Sequence, residues 1–507
     1  MRNMTLLIKN VRLLSGRTEA SELQNVLIRG ERISAIGKIP EKRGQGVIDG
    51  KGGYLTPGFI DIDTMSDHDL SLFSHPAHEN LVSQGVTTAI MGTCGSSLAP
   101  LIDGRLDAIR KWGDIRAENV SWRTTKEFLS LLGDKHLGIN VGTYTGYATI
   151  RRALVGNSTR PLTKKELDAC MYSIETSLRV GSLGLSCGLS YAHGKGVTYS
   201  ELRQLGEVVG KEKGILLVHA RKEKGKVIEE AREAIKLARE TGTPTVLNHF
   251  LPDLTEGKEY EQALEEIESA GKYTPVYISV SPWNTVLRPL YTILPTWAKD
   301  ATIELMAEKV LDDWRGKKIL RELPRLGADA CAVVRAPGHA WLEGKSLREL
   351  KDLFSKKTLA ETILQLMRLT QLRATIVEHR KSDVLLTRAM QSSRSLIASH
   401  APSLPKHGTV LENILPHAYQ TFTKFLALAE KEAILGREAA LSKLTQKPAE
   451  LLGLTERGSV QEGNRADLVL VRDGRVEEVV LGGTHTLEGG VLIRIGKGEV
   501  IKHKKRP

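Results

Sequence analysis

Three side chains with the chemistry of zinc ligands, Cys94, His219 and His249, each stand at or just past the C-terminal end of a short apolar run. Imidazole and thiolate are donors that zinc prefers, and three protein ligands with one open position is the pattern of a catalytic zinc. Singly, each reads as readily as a hydrogen-bonded histidine or a small buried cysteine. Together, at strand ends, they point to a metal. A further cluster, Ser66-Asp67-His68-Asp69, follows another apolar run. There Asp67 is a candidate proton-transfer group, and Asp67 or His68 a candidate ligand, while Ser66 and Asp67 serve equally well as a helix N-cap. Arg221 lies two positions past His219, on the same side of a strand, and is either an anion contact or a rim salt bridge.

Such residues need strands to carry them. Phe59 to Ile62, entered through Pro57-Gly58, and Gly85-Val-Thr-Thr-Ala-Ile-Met-Gly92 read as buried strands that stop at polar sites. Ile215 to His219 and Pro244 to His249 have the same character. Helical spacing fills the gaps at Thr163 to Val180, Tyr199 to Lys213, Val227 to Thr241 and Tyr260 to Ala270. Caps are expected at Thr163, with Glu166 three later, and at Tyr199-Ser200. The alternation predicts an α/β chain with a closed (β/α)8 TIM-like barrel, whose site lies at the C-terminal rim of the strands. No Gly-x-Gly-x-x-Gly joins a strand to a helix, which speaks against a dinucleotide fold. Both ends of the chain are strand-rich and are expected to form one small β-sandwich. The expected division is residues 1–56 and 455–507 for the sandwich and 57–454 for the barrel. An insertion is expected around 300–380, with helices over Thr302 to Trp314 and Leu359 to Arg373, and Gly436 to Leu452 reads as the last helix.

The 507 residues, 41% hydrophobic and 26% charged, are those of a folded chain. The net charge of +12 is shared between the tail Lys502-His-Lys-Lys-Arg-Pro507 and mixed runs such as Arg221-Lys-Glu-Lys-Gly-Lys226. With aromatic residues at only 5%, neither feature favours a nucleic-acid partner. Four cysteines in no paired spacing argue against a disulfide framework and a zinc ribbon, and fit a reducing, cytoplasmic setting. No apolar run reaches membrane length. Nothing in the composition fixes an oligomeric state.

Longer motifs carry a resemblance. Leu55-Thr-Pro-Gly-Phe-Ile-Asp61, Gln84-Gly-Val-Thr-Thr88, Gly92-Thr-Cys-Gly-Ser-Ser-Leu-Ala-Pro100 and Gly181-Ser-Leu-Gly-Leu-Ser-Cys-Gly-Leu-Ser-Tyr191 resemble the amidohydrolase superfamily, and within it the N-acyl-D-amino-acid deacylase (D-aminoacylase) family. His219-Ala-Arg221, Asn248-His249, Leu294-Pro-Thr-Trp-Ala298 and Gly458-Ser-Val-Gln-Glu-Gly-Asn-Arg-Ala-Asp-Leu-Val469 extend it over nearly the whole chain. The resemblance implies a barrel flanked by a sandwich from both termini, and a zinc, one per chain, held by Cys94, His219 and His249. It implies hydrolysis of a C–N bond in a small-molecule amide.

The departures from the family pattern are as specific. Where the family has His-x-His for a second metal, this chain has Asp63 and Met65; Asp63 can still ligate a metal, whereas a thioether is a poor zinc ligand. Where the family has its general-base aspartate, this chain has His400, which is a base, an extra ligand or a filler. The family's carboxylate-binding positions align with Leu251, Ser281 and His417, none of which offers a guanidinium fork. An altered zinc amidohydrolase is expected, with His400 and Asp67 in catalysis, Cys94, His219, His249 and Asp63 on metal, and Arg221, Ser281 and His417 on substrate. The alternative is a catalytically silent binding or scaffold protein.

Overall fold

Alternation of buried and exposed side chains makes the strands of this chain, and capped amphipathic stretches make its helices. The computed structural model describes residues 5–14, 22–68, 70–102, 120–156, 158–191, 194, 196–221, 226–252, 257–300, 303–380, 383–406 and 411–503. Asp69, residues 222–225 of the mixed charged run and 504–507 of the basic tail lie outside the described residues.

Strands from the two ends of the chain share one nine-stranded sheet. Its seam is the antiparallel pair Tyr54–Pro57 and Leu468–Arg472, with Leu55 opposite Leu470. Ile8, Val11, Val26 and Ile28 from one end are buried in a single cluster with Leu468, Leu470 and Val480 from the other. Both strands of the seam are buried along nearly their whole length, so it lies inside the fold and not at a sheet edge.

The middle of the chain holds two all-parallel sheets. One runs Phe59–Asp61, Val86–Met91, Asn140–Thr143; the other runs Thr145–Gly146, Gly184–Gly188, Ile215–His219, Thr245–Leu247, Val276–Val280, Ser395–Ile397. Tyr144 alone separates the two at one side. At the other side, Met65 N–H donates to Ala401 O and His400 N–H to Asp63 O, both at 2.9 Å. Ile215, Leu217, Val246 and Leu396 point into one buried cluster with Ile60, Ile62 and Ile90. The intervening Leu216 and Val218 pack instead with Cys170, Ile174, Leu178, Leu202 and Leu205 of the helices Lys164–Arg179 and Tyr199–Lys211. Strands buried on both faces read as continuous apolar runs, as these do.

Helix boundaries differ from expectation in three places. Thr198, not Tyr199-Ser200, caps the helix Tyr199–Lys211: its backbone is extended and its hydroxyl accepts the Glu201 N–H. The stretch from 302 to 314 breaks at Asp312, whose carboxylate caps a second helix, Asp313–Glu322. The stretch from 436 to 452 divides at Thr445, ahead of Pro448, which has no N–H to continue the first helix. Thr285–Pro289 pairs with Thr375–His379 and that strand with Cys331–Arg335, in a separate antiparallel sheet. Among the described residues no helix is long and apolar enough to cross a membrane.

Among the described residues two cations, Arg151 and Lys443, are held deep in the scaffold. Lys443, 2% exposed, donates through Nζ to Ser395 Oγ at 2.7 Å and to the carbonyls of Ser392 and Ser395. Burial pulls its pKa down to about 7.

Candidate metal centre

Parallel pairing brings the three soft ligands to one rim. Leu217 stands opposite Val246 and Val218 opposite Leu247, so His219 and His249 leave adjacent strands within one residue of the same level. Cys94 reaches them from the turn after Val86–Met91. Gly92 makes that turn with φ 82°, and a β-carbon there would lie 2.3 Å from Tyr144 O. Cys94 Sγ is 3.4 Å from His219 Nδ1 and 3.3 Å from His249 Nε2. Sulfur and nitrogen ligands of one tetrahedral zinc stand about 3.5 Å apart, given bond lengths of about 2.3 and about 2.0 Å. The donor set and its spacing therefore fit a zinc-sized ion. A second set of ligand atoms, from Asp63, His249 and His400, gathers on the other side of the His249 ring.

Asp63 lies between two imidazoles. Its Oδ2 is 3.0 Å from His249 Nδ1, and its Oδ1 is 3.3 Å from His400 Nδ1. Beside it, the buried Asp61 carboxylate accepts the Asp63 N–H at 3.1 Å and the Ser399 N–H and hydroxyl. Burial raises the Asp61 pKa to about 7. Met65 is buried in an apolar cluster with Cys94 and Tyr191. Cys94, His249 and His400 share left-handed backbones, at φ 55°, 52° and 53°. Side chains with a β-carbon seldom adopt this conformation, and where they do, functional sites are over-represented.

The cleft above these groups encloses about 590 Å³ including its open mouth, and Tyr191, His219, His249 and His400 line it. Leu251, Ser281 and His417 line it too, together with Val280, Trp283, Val286 and Leu287. Burial lowers the His417 pKa to about 3, with His400 and His379 adding to the effect, so its ring is neutral near pH 7. Ser281 Oγ is 3.4 Å from Thr421 Oγ1.

Two expected site residues are placed elsewhere. Arg221 does not line this cleft; its guanidinium donates to Val197 O at 2.6 Å and lies 3.9 Å from Glu233, as the rim salt-bridge reading has it. The Asp67 carboxylate accepts the Gly92 N–H at 3.1 Å, and His68 Nε2 is 3.2 Å from Thr93 O. Both brace the turn that presents Cys94, and neither lines the cleft. Nor do Ser66 and Asp67 cap a helix: the next one, Ser71–Ser74, has Leu70 at its N-cap and no side-chain cap bond.

The site also includes residues to which sequence reasoning gave no role. The Ser279 hydroxyl accepts the His249 N–H at 3.0 Å and donates to Asn248 Oδ1 at 2.7 Å. Asn248 Nδ2 is 3.1 Å from His249 Nε2. The pairing Asn248-His249 was the only signal, and it gives no hint of Ser279, 31 positions from Asn248.

A parallel α/β core thus brings one cysteine and two histidines together at its strand ends, and comparison with known proteins finds chains similar in sequence and fold. The chain is 27% identical to N-acyl-D-aspartate deacylase of Alcaligenes xylosoxydans xylosoxydans, over 93% of this chain and 86% of that one. A crystal structure of D-aminoacylase, which defines a novel subset of amidohydrolases, superposes with a TM-score of 0.78 at 23% identity, covering 98% of this chain and 99% of that one. N-acyl-D-glutamate deacylase from Bordetella bronchiseptica, solved with zinc and a phosphonate mimic of the tetrahedral intermediate, gives 0.77 at 20% identity, covering 99 and 100%. At those identities the two structures speak for the fold, a mixed α/β architecture of the TIM-barrel type. No family model matches the chain. Over more than nine-tenths of its length the chain is thus similar to D-aminoacylase and to the N-acyl-D-aspartate and N-acyl-D-glutamate deacylases.

Proposed function

We propose that this chain is a zinc-dependent hydrolase of a C–N bond in a small-molecule amide, with one ion per chain held by Cys94, His219 and His249. The observation that carries the reading is the Cys94 thiol within 3.4 Å of one nitrogen from each of two histidines that line an open cleft. The relatives' deacylase activities and the zinc in one of their structures support it. Zinc bound there would supply Lewis-acid polarisation of the amide carbonyl.

His400 lines the cleft 3.6 Å, ring centre to ring centre, from His249, and takes the role of general base. It accepts the proton of the attacking water and returns it to the leaving amine. The scaffold we infer is one closed eight-stranded barrel, sealed at Tyr144 and between Asp63–Met65 and His400–Ala401, with both termini in a flanking β-sandwich. A reducing, cytoplasmic setting suits a centre that depends on the Cys94 thiolate, and the four cysteines are buried and form no disulfide.

The substrate differs from those of the relatives. Leu251, Ser281 and a neutral His417 stand where the family pattern has cationic or hydroxyl side chains, so a free carboxylate finds no guanidinium fork at those positions. The same substitutions, with Met65, favour the second reading, a silent scaffold. Elemental analysis and an amidase screen decide between them. Stoichiometric zinc, lost in Cys94→Ala, with turnover in the parent supports the hydrolase; activity only in His400→Asp supports the silent scaffold.

A further inference from the structure

The cleft beside the candidate metal centre has an apolar wall. Leu251, Trp283, Val286 and Leu287 line it in company with His219 and His249. They come from separate elements. Leu251 follows the strand Thr245–Leu247, Trp283 follows Val276–Val280, and Val286 and Leu287 belong to Thr285–Pro289. That last strand is held by antiparallel pairing, Val286 opposite Glu378 and Leu287 opposite Val377, so this part of the wall is sheet and not loop. The Trp283 ring is held as well, with Lys424 Nζ 3.6 Å from its centre in a cation–π contact.

Among the described residues that line the cleft there is no Arg, Lys, Asp or Glu. The Ser281 hydroxyl accepts the Trp283 N–H at 3.3 Å. Thr421 gives its one proton to His417 O at 2.7 Å, which leaves Ser281 as the donor in the 3.4 Å contact between the two hydroxyls. Burial keeps the His417 ring uncharged near pH 7. A carboxylate entering against these walls would give up its hydration and meet no lysine or arginine there. An uncharged group of the same shape does not bear that cost.

From this lining we infer the substrate class: an uncharged secondary amide whose apolar flank lies against Leu251, Trp283, Val286 and Leu287, and which lacks the α-carboxylate of an N-acylamino acid. Apolar walls with few polar groups are the ordinary means of holding such a ligand. Leu251 and Trp283 determine the specificity. Hydrolysis adds water across the C–N bond and releases a carboxylic acid and an amine.

This inference rests on the zinc-hydrolase reading of the same cleft, and the zinc-loaded parent chain tests it. N-acetylphenethylamine and N-acetylphenylalanine, the latter as each enantiomer, differ only in the α-carboxylate. The uncharged amide should have a kcat/KM for amine release higher by about tenfold or more, because a charged group left unpaired is worth at least that. Binding is read by calorimetric titration with ketone isosteres of the two, in which CH2 replaces the amide N–H, and should follow the same order. Trp283→Ala should weaken the uncharged ketone by about tenfold and the acid little, and Trp283→Leu, which keeps an apolar side chain, should weaken it less. An acid that binds as tightly as its uncharged counterpart and whose amide is hydrolysed as well overturns the inference and leaves the hydrolase reading in place. An unchanged affinity for the uncharged ketone in Trp283→Ala, or no binding of either ketone to the parent, also overturns it. Tighter binding of the uncharged ketone with no amine released from either amide keeps the ligand class and removes the hydrolase reading.

Discussion

His249 and His400 lie with ring centres 3.6 Å apart and planes inclined by 59°, each on a left-handed backbone and each facing Asp63 through Nδ1. His249 has the Cys94 sulfur 3.3 Å from its Nε2 and His400 does not share that contact, so two identical side chains meet different surroundings.

Replacing His400 separates those roles. His400→Ala should lower kcat by about 100- to 10,000-fold, the usual contribution of a general base, while zinc content stays at the parent level. Loss of zinc in step with activity would make His400 a ligand.

Substrate preference should follow charge in the cleft. Leu251→Lys places an ammonium among Ser281, Trp283 and His417. For an N-acyl-D-amino acid with a free carboxylate, KM should fall about tenfold or more, the worth of one charged hydrogen bond, with little change for the corresponding ester. Equal changes for acid and ester would count against carboxylate recognition in this part of the cleft.

Stability should depend on alkaline pH through Lys443. Its folded pKa of about 7 lies below the unfolded value of 10.5, so between these values the unfolded chain binds the extra proton. Stability then rises with pH across that window, by up to about 1.4 kcal/mol per unit, and shows no Lys443 slope below it. Urea titrations at intervals from pH 7 to 10 should show this slope, flattened in Lys443→Met.

The acid side carries a matching signature. Burial lowers the pKa of His78 from 6.5 to about 4, and that of His417 to about 3. Below 6.5 the unfolded chain takes up protons that the folded chain refuses, so stability is lost as pH falls toward 4. Asparagine tolerates the φ of 50° at position 78. His78→Asn should therefore fold and unfold less steeply with acid; an unchanged pH profile of the denaturation midpoint would exclude His78 as a source.

That Cys94, His219 and His249 lie together was legible because each stands at or just past the end of an apolar run, and parallel strands bring those ends to one rim. The contacts of Asp63 were not, because a sequence gives no angle between a carboxylate and a ring. Asp67 shows the same limit in reverse. Its acidic side chain beside a strand end invites a catalytic reading, yet it is folded back onto the Gly92 amide. Ser279 had no signal at all, since its partner is reached only through pairing of neighbouring strands. The missed helix breaks at Asp312 and Thr445 have local causes, a side-chain cap and a nearby proline, overridden in the reading by apolar spacing that continues through both.

The seam between the chain's two ends has a cost in time. Thr56 and Val469, bonded across it, are 413 positions apart. On a ribosome the first strands emerge long before their partner exists, and they must wait, exposed at one edge, through the synthesis of nearly everything else. Nascent chains of this protein should therefore depend on chaperones until translation ends, and a truncation that removes only the last strands should be felt first at the opposite terminus.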